Sequence, residues 1–172
     1  YARRLARAVW THLQREDFDV LFSNDRNVSA YYPGPQPVVL VTDNILRATI
    51  HAGWYDRYQN LCSRNLRDGD SVQALALRRA LHTFVPSKWV YDHAIRVHGG
   101  NPEAVRFIRW GANLSEIPDS HVADSRDAPG RDRVRLLCVG LDWRIKNGDL
   151  VLEITAALRR RGIDAQLTLV GM

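Results

Sequence analysis

The chain has 172 residues, 45% of them apolar, and a formal charge of +5. That apolar content supports a genuine core and a chain that folds, while no run approaches the roughly 18 apolar residues that cross a bilayer. All of the 24 basic residues except Lys88 and Lys146 are arginine, a balance that admits phosphates, nucleic acid or anionic lipid and specifies none.

Leu5, Val9 and Leu13 recur at helical spacing between arginines, so residues 1–15 are predicted to form a helix with one buried face. Two roles fit it: a cover for a sheet, or an arginine-rich helix at a membrane surface. Asp19 to Ser23 and Pro37 to Thr42 read as short strands kept apart by the Pro33-Gly34-Pro35 turn. Neither alternates with polar residues, and such strands between helices predict a parallel sheet covered on both faces. Asp43 closes the second strand, at the end where α/β sheets place ligand groups. It reads equally as a ligand contact or as the N-cap of a helix beginning near Ile45.

Helical pattern runs from about Leu46 through Trp54, Tyr55 and Tyr58 to a break at Asp68-Gly69-Asp70, and a second helix spans Ser71 to Leu81. Thr83 to Val85 forms a strand, after which Ser87 caps a helix that carries Trp89, Val90, Ala94 and Val97 and ends at Gly99-Gly100. Ala104 to Ile108 is the next strand. Gly111 to Gly130 is polar, rich in Asp, Ser and Pro, and without periodicity, as a linker would be. Val134 to Val139 then forms an apolar strand, Gly140 opens a turn, Arg144 and Lys146 precede a helix, and a last strand closes at Gly171. A helix start presents unpaired N–H groups and the positive end of the helix dipole, so with an adjacent lysine it suits a diphosphate.

These elements divide the chain into a first α/β unit over 1–113, a linker over 114–131 and an opening βαβ over 132–172. Both ends look cut, since the chain begins with Tyr1 and stops just after a strand. His93 and His98 are five apart and do not share a helical face as a metal pair would, and His51, on the helix after Asp43, reads as a surface or packed residue ahead of a cleft contact. Trp54, Tyr55 and Tyr58 fit either core packing or stacking on an acceptor. Cys62 and Cys138 belong to no metal-ligand spacing, Cys138 reading as a small core residue, and together they point to a reducing, cytoplasmic setting.

Three groups of residues, in this order, resemble the retaining glycosyltransferases of family 4. Phe84-Val-Pro-Ser87-Lys-Trp89 resembles that family's "S-x-W" helix start. Val105 to Ile108 with Gly111-Ala-Asn113-Leu114 is similar to its strand and "G-A-N-L" turn. Leu137-Cys-Val-Gly140-Leu-Asp-Trp143-Arg-Ile-Lys146-Asn-Gly148-Asp-Leu150 is similar to its "V-G-R-D-W-x-R-K-G-G-D-L" signature. The resemblance implies a GT-B fold of two Rossmann-like parallel-sheet units, the first binding the acceptor and the second a nucleotide-sugar donor. It implies that Lys146, assisted by Arg144 and the Gly140 turn, holds the donor diphosphate without a metal cofactor. Asp43 would stand on the acceptor side, meeting a hydroxyl of a glycan, lipid-linked or small-molecule acceptor near the reacting carbon.

Two basic positions of the family pattern are Leu141 and Ile145 here, which favours a non-catalytic sugar-nucleotide module as the alternative. The family's paired glutamates would lie after Met172 and its glycine-rich loop before Tyr1. The cytoplasm, with peripheral membrane contact, is the expected location. Nucleic acid is not an expected partner, since no basic block is interleaved with aromatics.

Overall fold

The computed structural model describes residues 1–53, 55–111, 116 and 133–171. The chain divides into two compact units, Tyr1–Gly111 and Ala112–Met172.

In the first unit, strands β1 (Leu21–Ser23), β2 (Val38–Val41), β3 (Ala80–Val85) and β4 (Val105–Phe107) form a parallel sheet in sequential order. Helices α1 (Ala2–Leu13), α2 (Arg26–Tyr31), α3 (Leu46–Ala52), α4 (Ser63–Arg79) and α5 (Lys88–Arg96) complete it. Leu40, Val85 and Val105 pack with Ile45, Ala48, Ala76, Leu77, Val90 and Ala94 into one core, so a single sheet face takes the helices. Successive strand residues point to opposite faces. Accordingly Val38, Leu40, Thr83 and Val85 are buried, whereas Val39, Val41, His82 and Phe84 on the other face are only half-buried. The expected parallel sheet is present, but its expected cover on both faces is not seen among the described residues.

The opening helix packs against α2, with Trp10 meeting the Tyr32 ring edge to face at 5.6 Å and Arg3 standing over the Tyr31 ring. Its half-buried apolar face is therefore used in the fold, while Arg4 and Arg7 are exposed. Helix α2 has no apolar periodicity to announce it. Asp25 starts it by accepting hydrogen bonds from the N–H groups of Asn27 (2.6 Å) and Val28 (3.2 Å).

Several helix boundaries differ from expectation, among them the end of α4, which gives way to β3 at Ala80 before the expected Leu81. The helix from Leu46 stops at Gly53, whose φ of +66° is the left-handed stop that glycine tolerates. A 3-10 turn, Asp56–Tyr58, follows it. Helix α4 then runs unbroken through Asp68-Gly69-Asp70, where a break is expected from residue types alone. Its tertiary partners explain this: a Cβ on Gly69 would overlap the Leu46 side chain, and Asp70 takes a bidentate ion pair from Arg47 on α3. The glycine permits close approach of α3 and α4, and the aspartate is held by a partner across the contact. Ser87 caps α5 as expected, accepting from Val90 N–H at 3.2 Å.

In the second unit, β5 (Arg133–Val139) and β6 (Asp164–Val170) pair in parallel from Arg133 with Asp164 to Val139 with Val170. Helix α6 (Gly148–Arg160) is the crossover between them. Only Gly148, Thr155 and Ala165 are buried among its described residues. Cys138, expected in a core, is half-buried here. The expected linker over 114–131 lies, Glu116 apart, outside the described residues, as do Asn113 and Trp54.

Candidate functional site

Parallel strands point their carboxyl ends in one direction, and the loops leaving those ends gather in one place. In the first unit this edge forms a cavity of about 690 Å³ lined by Phe22, Asn24, Val41, Thr42, Asp43, Phe84, Ile108 and Trp110. Phe22 comes from β1, Val41 from β2 and Phe84 from β3, while Asn24, Thr42, Asp43, Ile108 and Trp110 lie in the segments leaving β1, β2 and β4. The register places Val41 beside Phe84, so two apolar side chains share that face next to the opening.

Asp43 is exposed at this edge, with its Oδ1 accepting a hydrogen bond from Asn44 Nδ2 at 3.1 Å. It does not cap α3. The residue before that helix is Ile45, without a side-chain cap, and the Leu46 N–H instead donates to the buried Gln73 Oε1 at 3.4 Å. Of the two roles open to Asp43 in the sequence, the N-cap is thus taken by a group from α4. Thr42 is occupied locally, its Oγ1 donating to Asn44 O at 2.6 Å.

Other candidates stand apart from this cavity. His51 is exposed on α3 and approaches the His93 ring at 6.3 Å, and the His93 Nδ1 lies 2.9 Å from Trp89 O. Tyr55 and Tyr58 stack edge to face on one another at 6.0 Å. Phe22 and Trp110, which line the cavity, carry no local motif. They could be found only by asking which residues follow each strand of a parallel sheet.

The second unit presents its own carboxyl edge, where Gly140 and Gly171 follow β5 and β6. Gly171 has φ +81°, and a Cβ there would stand 2.7 Å from Gly140 O, so both conformation and space call for glycine. From Gly140 the chain makes a compact turn. Asp142 accepts the Ile145 N–H on Oδ1 (2.8 Å) and the Lys146 N–H on its backbone oxygen (3.0 Å). Arg144 O accepts from Asn147 N–H and Trp143 O from Gly148 N–H. Asn147 takes φ +53°, and a Cβ on Gly148 would overlap the Trp143 ring, whose Nε1 donates to Asp149 Oδ1 at 3.1 Å.

This wiring alters the expected anion site. The N–H groups of residues 145–148 are consumed inside the turn, and the exposed side chains of Lys146 and Arg144 are the cations it presents. Asp149 adds a carboxylate to the first helical turn and is tethered to the indole. Leu141, where the family pattern has a basic residue, is 92% exposed. Among the described residues no group of three or more His, Cys, Asp or Glu side chains is arranged to hold a metal ion. No helix among them is long and apolar enough to cross a membrane.

No protein-family model matches the chain, and no curated protein matches it. Among solved structures the chain is similar to the crystal structure of Anabaena HepE in complex with UDP and glucose, with 18% identity and a TM-score of 0.49. The match covers 97% of this chain and 51% of that one, so the chain spans about half the length of HepE.

Proposed function

We propose that the protein is a retaining glycosyltransferase of GT-B architecture, with the unit Tyr1–Gly111 on the acceptor side and the unit Ala112–Met172 on the donor side. One observation carries this reading. Asp43 and the Gly140–Lys146 turn, which the family resemblance names, each stand at the carboxyl edge of a parallel sheet, where α/β proteins bind ligands. Lys146 would contact the diphosphate of a nucleotide-sugar, with Arg144 assisting from the same turn. As the glycosidic bond breaks, the departing nucleoside diphosphate gains negative charge, and a cation already in place stabilises it more than the ground state. Side-chain cations in this role make the reaction independent of a metal ion. Asp43 would accept a hydrogen bond from the acceptor hydroxyl. The cytoplasm, where nucleotide-sugars are met, is the proposed setting, with the exposed arginines of α1 available to an anionic membrane surface.

UDP, the nucleotide bound in the HepE crystal, is a suitable first probe. Calorimetry is expected to give saturable binding that Lys146→Ala weakens about tenfold or more, the worth of one charge-assisted hydrogen bond. Unchanged affinity in that variant would remove Lys146 from the donor site.

Leu141 and Ile145 support a second reading, a sugar-nucleotide-binding module without transferase activity. Donor binding with neither transfer nor hydrolysis favours the module, and measurable transfer rejects it.

A further inference from the structure

The Asp43 cavity has a composition that selects among acceptors. Phe22, Val41, Phe84, Ile108 and Trp110 are five of the eight residues that line it, with Phe22 69% and Trp110 50% exposed. Among the described residues lining it Asp43 is the one ionisable group, and no lysine, arginine or histidine is among them. The polar capacity is small, because Thr42 Oγ1 is engaged with Asn44 and one Asp43 oxygen already takes Asn44 Nδ2. What remains is carboxylate lone-pair capacity and the Asn24 amide beside a wall of aromatic and aliphatic surface.

A phosphorylated ligand would bring its anion next to the Asp43 carboxylate with no cation among the described lining residues to offset the repulsion. A free sugar would carry several hydroxyl groups into a wall that can answer few of them, and each desolvated hydroxyl left unpaired weakens binding. An uncharged alcohol on a flat apolar body meets both constraints: its hydroxyl donates to Asp43 while its body covers Phe22, Phe84 and Trp110. We infer that this cavity takes such a ligand, an uncharged aromatic or similarly apolar alcohol. This rests on the acceptor-side reading above for its role in transfer. As a binding site it stands on the lining residues alone.

The test uses the full chain at neutral pH, with tryptophan fluorescence and calorimetry as readouts and naphthol, naphthalene, methyl glucoside and naphthyl phosphate as probes. Naphthol is expected to saturate and to bind more tightly than the other three. Asp43→Ala should weaken naphthol about five- to tenfold and leave naphthalene unchanged, since only the former has a hydroxyl to lose. Phe22→Ala, at an exposed position that leaves folding intact, should weaken both. Tighter binding of methyl glucoside or naphthyl phosphate than of naphthol overturns the inference, as does naphthol binding that neither substitution alters. UDP titrated alongside separates the two readings. Asp43-dependent naphthol binding without any UDP binding supports this site while removing the donor assignment. Lys146-dependent UDP binding without naphthol binding does the reverse.

Discussion

His98 is 7% exposed at the end of α5, and its Nε2 has no hydrogen-bond partner within the described protein atoms. Burial pushes its imidazole below the ordinary value of 6.5; Asp70 pulls it back up, while Arg47, Arg26 and His93 push further down. A lowered value in the folded state means the unfolded chain takes up the proton first. His98 therefore contributes no pH dependence well above 6.5, costs stability as pH falls through its ordinary value, and levels off below its folded value. Urea midpoints taken from pH ~7.5 down to ~5 should fall less steeply in His98→Leu than in the parent chain. An equal slope in both would assign the effect elsewhere. Asp25 makes a second residue-scale prediction. Asp25→Ala removes two N-terminal hydrogen bonds of α2 and should cost about 1 kcal/mol by chemical denaturation. Cap chemistry of this kind is local, and Ser87 was accordingly legible without a structure. Asp25 was less so, because the helix it starts has no periodic apolar face to draw attention to it.

At the scale of elements, α4 shows where local reading fails. Asp-Gly-Asp is turn chemistry in isolation, since each residue competes poorly for a helix interior. The contact with α3 reverses that preference by giving Gly69 a close neighbour in Leu46 and Asp70 a cationic partner in Arg47. If the helix is continuous, Gly69→Pro should destabilise the chain by about 3 kcal/mol or more, through a lost hydrogen bond and a clash one turn back. A neutral effect in thermal or urea unfolding would restore the break. The ion pair itself is more modest, since both partners are about one-third exposed, and Asp70→Asn should cost no more than about 1 kcal/mol. The turn before α6 differs in the same way. Its order of residues predicts a helix start with a nearby lysine, yet the fate of its N–H groups depends on Asp142 and Trp143 folding back onto the turn.

For the whole molecule, the two units differ in how much apolar surface they hide. The first buries a continuous core from Ala30 to Val105, whereas the second leaves Leu137, Val139, Leu150, Leu152 and Ile154 exposed. Local opening is easier where few apolar contacts must be broken. Hydrogen exchange should therefore show weaker protection across β5 and β6 than across β2 and β3, and Gly171→Ala should lower protection in β5 and β6 alone. Apolar runs, glycine stops and the Ser87 cap were enough to establish α/β character, parallel strands and the residues at two strand ends, because these depend on neighbours within a few positions. The continuity of α4, the sheet face that takes the helices and the aromatic cavity around Asp43 were decided by the tertiary structure. Each depends on residues far apart in the chain meeting across a helix contact or along a sheet edge, and no local pattern encodes that meeting.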